Sequence, residues 1–178
     1  MDMFIEKLVT RQRQGKDYAI AAFAVFLTLL LSLISFVLIG GLAALAFLVP
    51  FLPLIIGGFF FLCYRIISRQ NIEFEYSLTN NELDVDKIFA RRKRKRIVTV
   101  NARNFDIFAP TSNFQFNQEK GSPALANTYD CSSSSKDANT YFIIFFGVDG
   151  RKSMLIFEPN QKMIDGFKRY APNKVIDV

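Results

Sequence analysis

Four groups of residues in this sequence have types and spacings that invite a chemical reading. Glu73 with Glu75, and Asp84 with Asp86, are carboxylate pairs two residues apart, candidates for acid–base work or metal binding. Ser132 to Ser135 is a run of hydroxyls beside Lys136. Cys63 and Cys131 are isolated thiols. Arg91, Arg92, Lys93, Arg94, Lys95 and Arg96 form an unbroken run of cations.

The first three groups lose their chemistry on inspection. Carboxylates at i and i+2 on a strand share one face, and with apolar residues alternating between them that face is expected to be solvent. The serines have no histidine to activate them, because the chain contains none, and an adjacent lysine does not make a dyad. His-ligated metals and His general acid–base chemistry are excluded by the same absence. The two cysteines lie in unlike surroundings and make neither a disulfide framework nor a zinc motif. Gly147, Gly150 and Gly166 lack the spacing of a nucleotide-binding loop. The expectation is a protein that is not an enzyme and carries no cofactor.

The basic run is different, because like charges packed on a short turn repel one another and need a partner. Which partner depends on the elements that hold them. Tyr18 through Tyr64 carries no charge, while the rest of the chain holds all 22 basic and 16 acidic residues, a net charge of +6. An uncharged stretch of that length exceeds any soluble core element and suffices for two crossings of about 20 residues each. Leu27, Leu29, Leu30, Leu31, Ile34, Phe36, Val37 and Leu38 make the first crossing apolar on every side, as lipid requires. Ala44-Leu45-Ala46 resembles a cleavage site, but the apolar stretch before it is roughly twice a signal-peptide core and hydrophobicity resumes after it. The break between the crossings falls between Gly40 and Pro53, at the glycines or at the prolines. Gly40-Gly41 and Gly57-Gly58 are either close helix contacts or tolerated glycines.

Lys7, Arg11, Arg13 and Lys16 precede the first span, Arg65 and Arg69 follow the second, and the connecting turn is uncharged. The positive-inside rule then places both termini in the cytoplasm of a multi-pass cell-membrane protein. Residues 1–17, with Phe4, Ile5, Leu8 and Val9 at helical spacing, read as a short amphipathic interfacial helix.

After Arg69 the period changes to two. Ile72, Phe74, Tyr76 and Leu78 alternate with Glu73, Glu75, Ser77 and Thr79, the pattern of a half-buried antiparallel strand. Asn80-Asn81 supplies a tight turn. A second strand has Leu83 and Val85 inward, with Ile88 inward past a bulge at Lys87. Further strands follow at Ile97 to Val100, Phe105 to Ala109, Tyr141 to Phe146 and Met154 to Phe157, with another near Thr128 to Cys131 and a turn at Asp149-Gly150. Residues 111–139 otherwise read as a mobile loop. A final helix places Met163, Ile164, Phe167 and Tyr170 on one face, with Pro172 past its end. The expected fold is an α+β membrane protein. A transmembrane helical hairpin over 18–69 precedes a small antiparallel β-barrel or sandwich over 70–178, capped by the C-terminal helix.

The hairpin followed by Phe74-Glu75-Tyr76-Ser77-Leu78-Thr79-Asn80-Asn81-Glu82-Leu83-Asp84-Val85-Asp86-Lys87-Ile88 resembles a family of uncharacterised two-span bacterial membrane proteins with a pleckstrin-homology-like (PH-like) domain. The basic run, Phe105-Asp106-Ile107-Phe108-Ala109-Pro110 and Phe167-Lys168-Arg169-Tyr170-Ala171-Pro172 share in the resemblance. It implies a PH-like domain and no activity.

Geometry gives the cations a place. A strand leaving the membrane near Gln70 runs away for roughly 26 Å, and its antiparallel neighbour returns. The turn and strand start after it, Arg91 to Arg96, are expected at the membrane end, facing anionic headgroups at about 1 kcal/mol per cation. An acidic protein is the second candidate partner; nucleic acid is set aside, because one basic turn is not an aromatic-lined groove. Two functions are expected from this reading. One is a membrane-anchored binding or adaptor module; the other is an accessory subunit of a larger membrane complex, packed through its hairpin.

Overall fold

The computed structural model describes residues 4–135, 139–147 and 150–176. It divides into two compact units. One comprises residues 13–71 and is helical; the other combines the N-terminal segment up to Gln12 with everything from Ile72 onward.

The helical unit contains α1 (Gly15–Gly41) and α2 (Leu52–Arg69), joined by a 3-10 helix over Ala43–Phe51. α1 is 27 residues long, and the helical stretch Ala43–Arg69 matches it. At about 1.5 Å per residue both exceed the roughly 30 Å of a bilayer core. Both are long and apolar enough to cross a membrane. The helical path breaks at Leu42, whose backbone is extended, so the turn is at the glycines. Pro53 lies in the first turn of α2, where its missing N–H leaves no bond unmade. A Cβ built on Gly40, Gly41, Gly57 or Gly58 would meet nothing within 4 Å, so these glycines mediate no close helix approach within the chain.

The other unit is built from two four-stranded sheets. In the first, β1 (Phe4–Thr10), β2 (Ile72–Thr79), β3 (Glu82–Phe89) and β4 (Lys93–Asn101) lie side by side in chain order, all antiparallel. The second contains β5 (Phe105–Pro110), β6 (Leu125–Asp130), β7 (Tyr141–Phe146) and β8 (Lys152–Phe157), in the order β5-β7-β8-β6. Among the described residues the sheets do not close into a barrel, and the second is not purely antiparallel, because β6 pairs with β8 in parallel. The barrel and the purely antiparallel pairing are thus corrected, while the sandwich alternative, two packed sheets, stands.

The N-terminal segment is the largest correction. Residues 4–10 are not an interfacial helix but a strand, with Thr10 opposite Glu73 and Phe4 opposite Thr79. Apolar side chains at positions 4, 5, 8 and 9 make a helical stripe, whereas a strand puts Ile5 and Val9 on one face and leaves Phe4 and Leu8 exposed on the other. The pairing with β2 decides. Val9 is buried, Ile5 packs on the same core, and Lys7 on that face donates to the Glu158 carbonyl at 2.9 Å. Lys7 is therefore committed to the fold rather than to headgroups.

Residues 111–139 are not a bare loop either. They carry α3 (Phe114–Lys120) and β6, and Phe116 and Leu125 pack onto Ala109, Phe142, Ile144, Met154 and Ile156. This covers the outer face of the second sheet, which explains why β7 reads Tyr-Phe-Ile-Ile-Phe-Phe without alternation. The inner face shares a core with the first sheet and with α4 (Gln161–Tyr170), which buries Met163, Ile164 and Phe167. Asn160 caps α4 by accepting from the Met163 N–H at 2.9 Å. Beyond α4 the chain runs along β5, where the Ile176 N–H donates to the Phe108 carbonyl at 2.8 Å, covering that sheet edge. Asn80 takes the left-handed conformation expected of the β2–β3 turn. Lys136 and Asp149 lie outside the described residues.

Because Thr10 and Glu73 are register partners, the sheet unit can be closed without its helices. A chain in which a short Gly-Ser turn replaces residues 13–71 is expected to be soluble and to unfold cooperatively in circular dichroism. The fragment 72–178, lacking β1, is expected to melt at a lower temperature or to aggregate, since it uncovers the β2 edge and the groups around Val9.

Candidate functional site

The cations sit in a hairpin whose register places each of them. β3 ends at Phe89 opposite Ile72, and β4 begins at Lys93 opposite Phe89. The connecting residues Ala90 and Arg91 both have positive φ, and the Arg92 N–H closes the turn on the Phe89 carbonyl at 3.0 Å. Neither is glycine or asparagine, so the turn holds two side chains in a conformation that costs roughly 1 kcal/mol each. β4 starts four residues earlier than the apolar pattern from Ile97 indicates, so Lys93 to Arg96 belong to the strand itself.

An irregularity lies in the β3–β4 register between Val85 and Asp86: Val85 pairs with Val98, Asp86 with Arg96. Ile97 is the extra residue of the bulge. Lys87 does not break the β2–β3 register, as the sequence pattern had implied. It stays in phase opposite Phe74, with its ammonium 5.8 Å from the Phe74 ring centre and 5.1 Å from that of Phe89. Ile88 accordingly takes the outer face with Glu73.

On that outer face the carboxylates meet the cations. Arg91 Nε lies 3.0 Å from Glu73. Arg94 reaches diagonally across β3 to Glu75 at 2.5 Å. Arg96 holds Asp84 at 2.8 Å and Asp86 at 2.9 Å. Glu73, Glu75 and Asp86 are buried, so they are not the solvated face expected of them. The arginine side chains lie over them while staying more than half exposed themselves. Arginine suits this task, because its fork serves two carboxylates at once.

The six cations therefore divide. Arg91, Arg94 and Arg96 neutralise the sheet's own acids. Arg92, Lys93 and Lys95 are exposed and have no ion-pair partner among the described residues. β4 is an edge strand, and lysines there also discourage pairing with another chain.

The electrostatics follow. Burial raises the Glu75 carboxyl above its ordinary value; Arg94 opposes this, while Glu6 and Asp86 add to it by like charge. Burial pushes the Cys131 thiol up to about 12, helped by Asp130 and opposed by Lys87, so this cysteine is inert at neutral pH. Burial, then the charge of Glu158, also raises the Tyr76 hydroxyl, which donates to the Cys131 carbonyl at 2.5 Å. The serine run is used for local structure: Ser132 Oγ donates to Asp130 at 2.7 Å, the Ser133 N–H to Glu158 at 2.6 Å, and Ser133 Oγ accepts from the Ser135 N–H at 3.1 Å.

These two classes of cation are expected to behave differently under mutation. Arg96→Met should lower the unfolding free energy by about 1–2 kcal/mol, since it strands a buried carboxylate, and Arg96→Lys should restore only part of it. Single alanine replacements at Arg92, Lys93 or Lys95 should each change stability by less than about 0.5 kcal/mol. Denaturant melts of the full chain in detergent would measure both. Carboxyl NMR should show Glu75 titrating above ordinary glutamates. Its folded value being the higher, Glu75 makes stability fall as pH rises from about 4.5 through that value, and Glu75→Gln should remove this slope.

Comparison with known proteins agrees with the geometry and adds no activity. Neither the curated proteins nor the solved structures gave a match. A family model matches residues 1–177, which takes in β1, both apolar helices and both sheets. The chain belongs to the family described as Bacterial PH-like domain (DUF6106).

Proposed function

We propose that this protein is a non-enzymatic binding module, anchored in the cell membrane by α1 and α2, whose PH-like domain docks on the anionic inner leaflet through Arg92, Lys93 and Lys95. The observation that carries this reading is their position. Thr10, Ile72, Phe89 and Lys93 lie at one end of the first sheet, the end from which both connections to the helices depart. The connections are short: residues 11–14 separate β1 from α1, and residues 70–71 separate α2 from β2. At no more than about 3.6 Å per residue, the second keeps Ile72 within roughly 11 Å of the end of α2. A cation near an anionic leaflet contributes about 1 kcal/mol, so three supply about 3 kcal/mol. For a domain already tethered there, that is enough to set orientation. Arg11, Arg13, Lys16, Arg65 and Arg69 flank the spans on one side and support cytoplasmic termini. The pairing of the carboxylates with arginines supports a structural rather than catalytic use of them.

The test is lysine labelling of the full chain in lipid nanodiscs, read by mass spectrometry. With phosphatidylglycerol present, Lys93 and Lys95 should acylate several-fold more slowly than in pure phosphatidylcholine, while Lys174, beside the Phe105 carbonyl, should react alike in both. Equal rates at Lys93 and Lys95 in the two lipids would reject lipid docking. Protection appearing only after addition of bacterial cytosol would favour an acidic protein partner instead.

A further inference from the structure

We propose that Phe114 is a second membrane contact, an aromatic side chain that enters the headgroup boundary beside the cations of β4; this rests on the docking reading above. Phe114 is 75% exposed, the most exposed large apolar residue among the described residues of the sheet unit. Its neighbour Phe116 turns onto the second sheet, with its ring 5.4 Å from that of Phe142. The segment thus has an inward aromatic and an outward one.

Topology places the outward one. β4 starts at Lys93, at the end where the connections depart, and runs to Asn101; β5, from Phe105 to Pro110, lies in the other sheet and is placed by the contacts of that sheet. The Gln12 N–H donates to the Ser133 carbonyl at 2.7 Å, so the segment following β6 lies beside the departing chain. Asp130 pairs with Ile156, Ile156 with Phe142, and Phe142 with Ala109, carrying that end across the second sheet to Pro110. Phe114 follows directly. The Asn113 N–H donates to the Pro110 carbonyl at 3.0 Å, and Asn113 Oδ1 accepts from the Gln115 N–H at 3.0 Å, which fixes the start of α3.

Single exposed aromatics are ordinary on protein surfaces. What distinguishes Phe114 is its company: exposed cations lie at the same end, and an apolar side chain beside cations is the combination that holds segments in the plane of an anionic interface. Phe146, the other exposed aromatic of the second sheet, sits at the opposite end of β7, paired with Lys152, and serves as the contrast.

The chain has no tryptophan, so one can be added as the only indole. Full-length Phe114→Trp and Phe146→Trp would each be placed in phosphatidylglycerol nanodiscs. Trp at 114 should emit to the blue of its detergent-free unfolded form and be quenched several-fold more by lipids brominated near the headgroup than by iodide. Trp at 146 should show the reverse. A water-like, iodide-quenched residue 114 with Lys93 and Lys95 still protected from acylation would overturn the aromatic contact alone. The same emission with both lysines unprotected would overturn the docking reading as well.

Discussion

The pairing of β1 with β2 is the constraint on which the rest depends. These strands are adjacent and antiparallel, yet the whole helical unit is inserted between them in the chain. An insertion between paired antiparallel strands has to leave and re-enter at one end of the sheet. That end then carries the β3–β4 turn as well, because strand direction alternates across four neighbours in chain order. Residues far apart in sequence, Thr10, Ile72 and Arg91, are thereby assembled at a common end without any contact between the two units being needed. The proposed orientation toward the membrane accordingly rests on topology and on connections a few residues long.

The charge pattern makes sense on that frame. Four carboxylates on the outer face of β2 and β3 would repel one another if left alone, and burial makes the ionisation of Glu75 costlier still. Arginines from the turn and from β4 offset both penalties, reaching across one strand or two. A run that looks like a single basic patch is thus two interleaved sets, one satisfied within the sheet and one facing outward. Arg91, Arg94 and Arg96 thus serve the sheet, whereas Arg92, Lys93 and Lys95 contribute outward charge.

Much of this was legible in the sequence, and the rest was hidden for identifiable reasons. The strand at β2 with Phe74, Tyr76 and Leu78 in the core, the left-handed Asn80 turn and the apolar face of α4 each rest on a strong local pattern, and the structure bears them out, although the other face of β2 is buried too. β1 was missed because its apolar residues fall at helical spacing and two of them, Phe4 and Leu8, stay exposed in the strand, so only the partner strand reveals it. α3 was missed because a helix of two turns is stabilised by packing rather than by its own propensity. The unbroken apolar run of β7 was the available clue, since a strand covered on both faces requires something over the outer one. The parallel β6–β8 pairing left no local trace. At the site, acids two apart on β2 and β3 and arginines at 91, 94 and 96 could have been matched by counting register through the Asn80 turn. The bulge at Ile97 shifts that count and conceals the match.

The central claim is that the Arg92 end of the first sheet faces the lipid and the Asn81 end points away. Spin labels on single cysteines introduced at Arg92 and at Asn81, with Cys63 and Cys131 replaced by alanine, would test it in nanodiscs bearing nickel-chelating lipids. β2 spans roughly 26 Å between these ends. The account predicts strong relaxation by the headgroup nickel at residue 92 and little at residue 81. Equal relaxation at both positions, or stronger relaxation at residue 81, would contradict it.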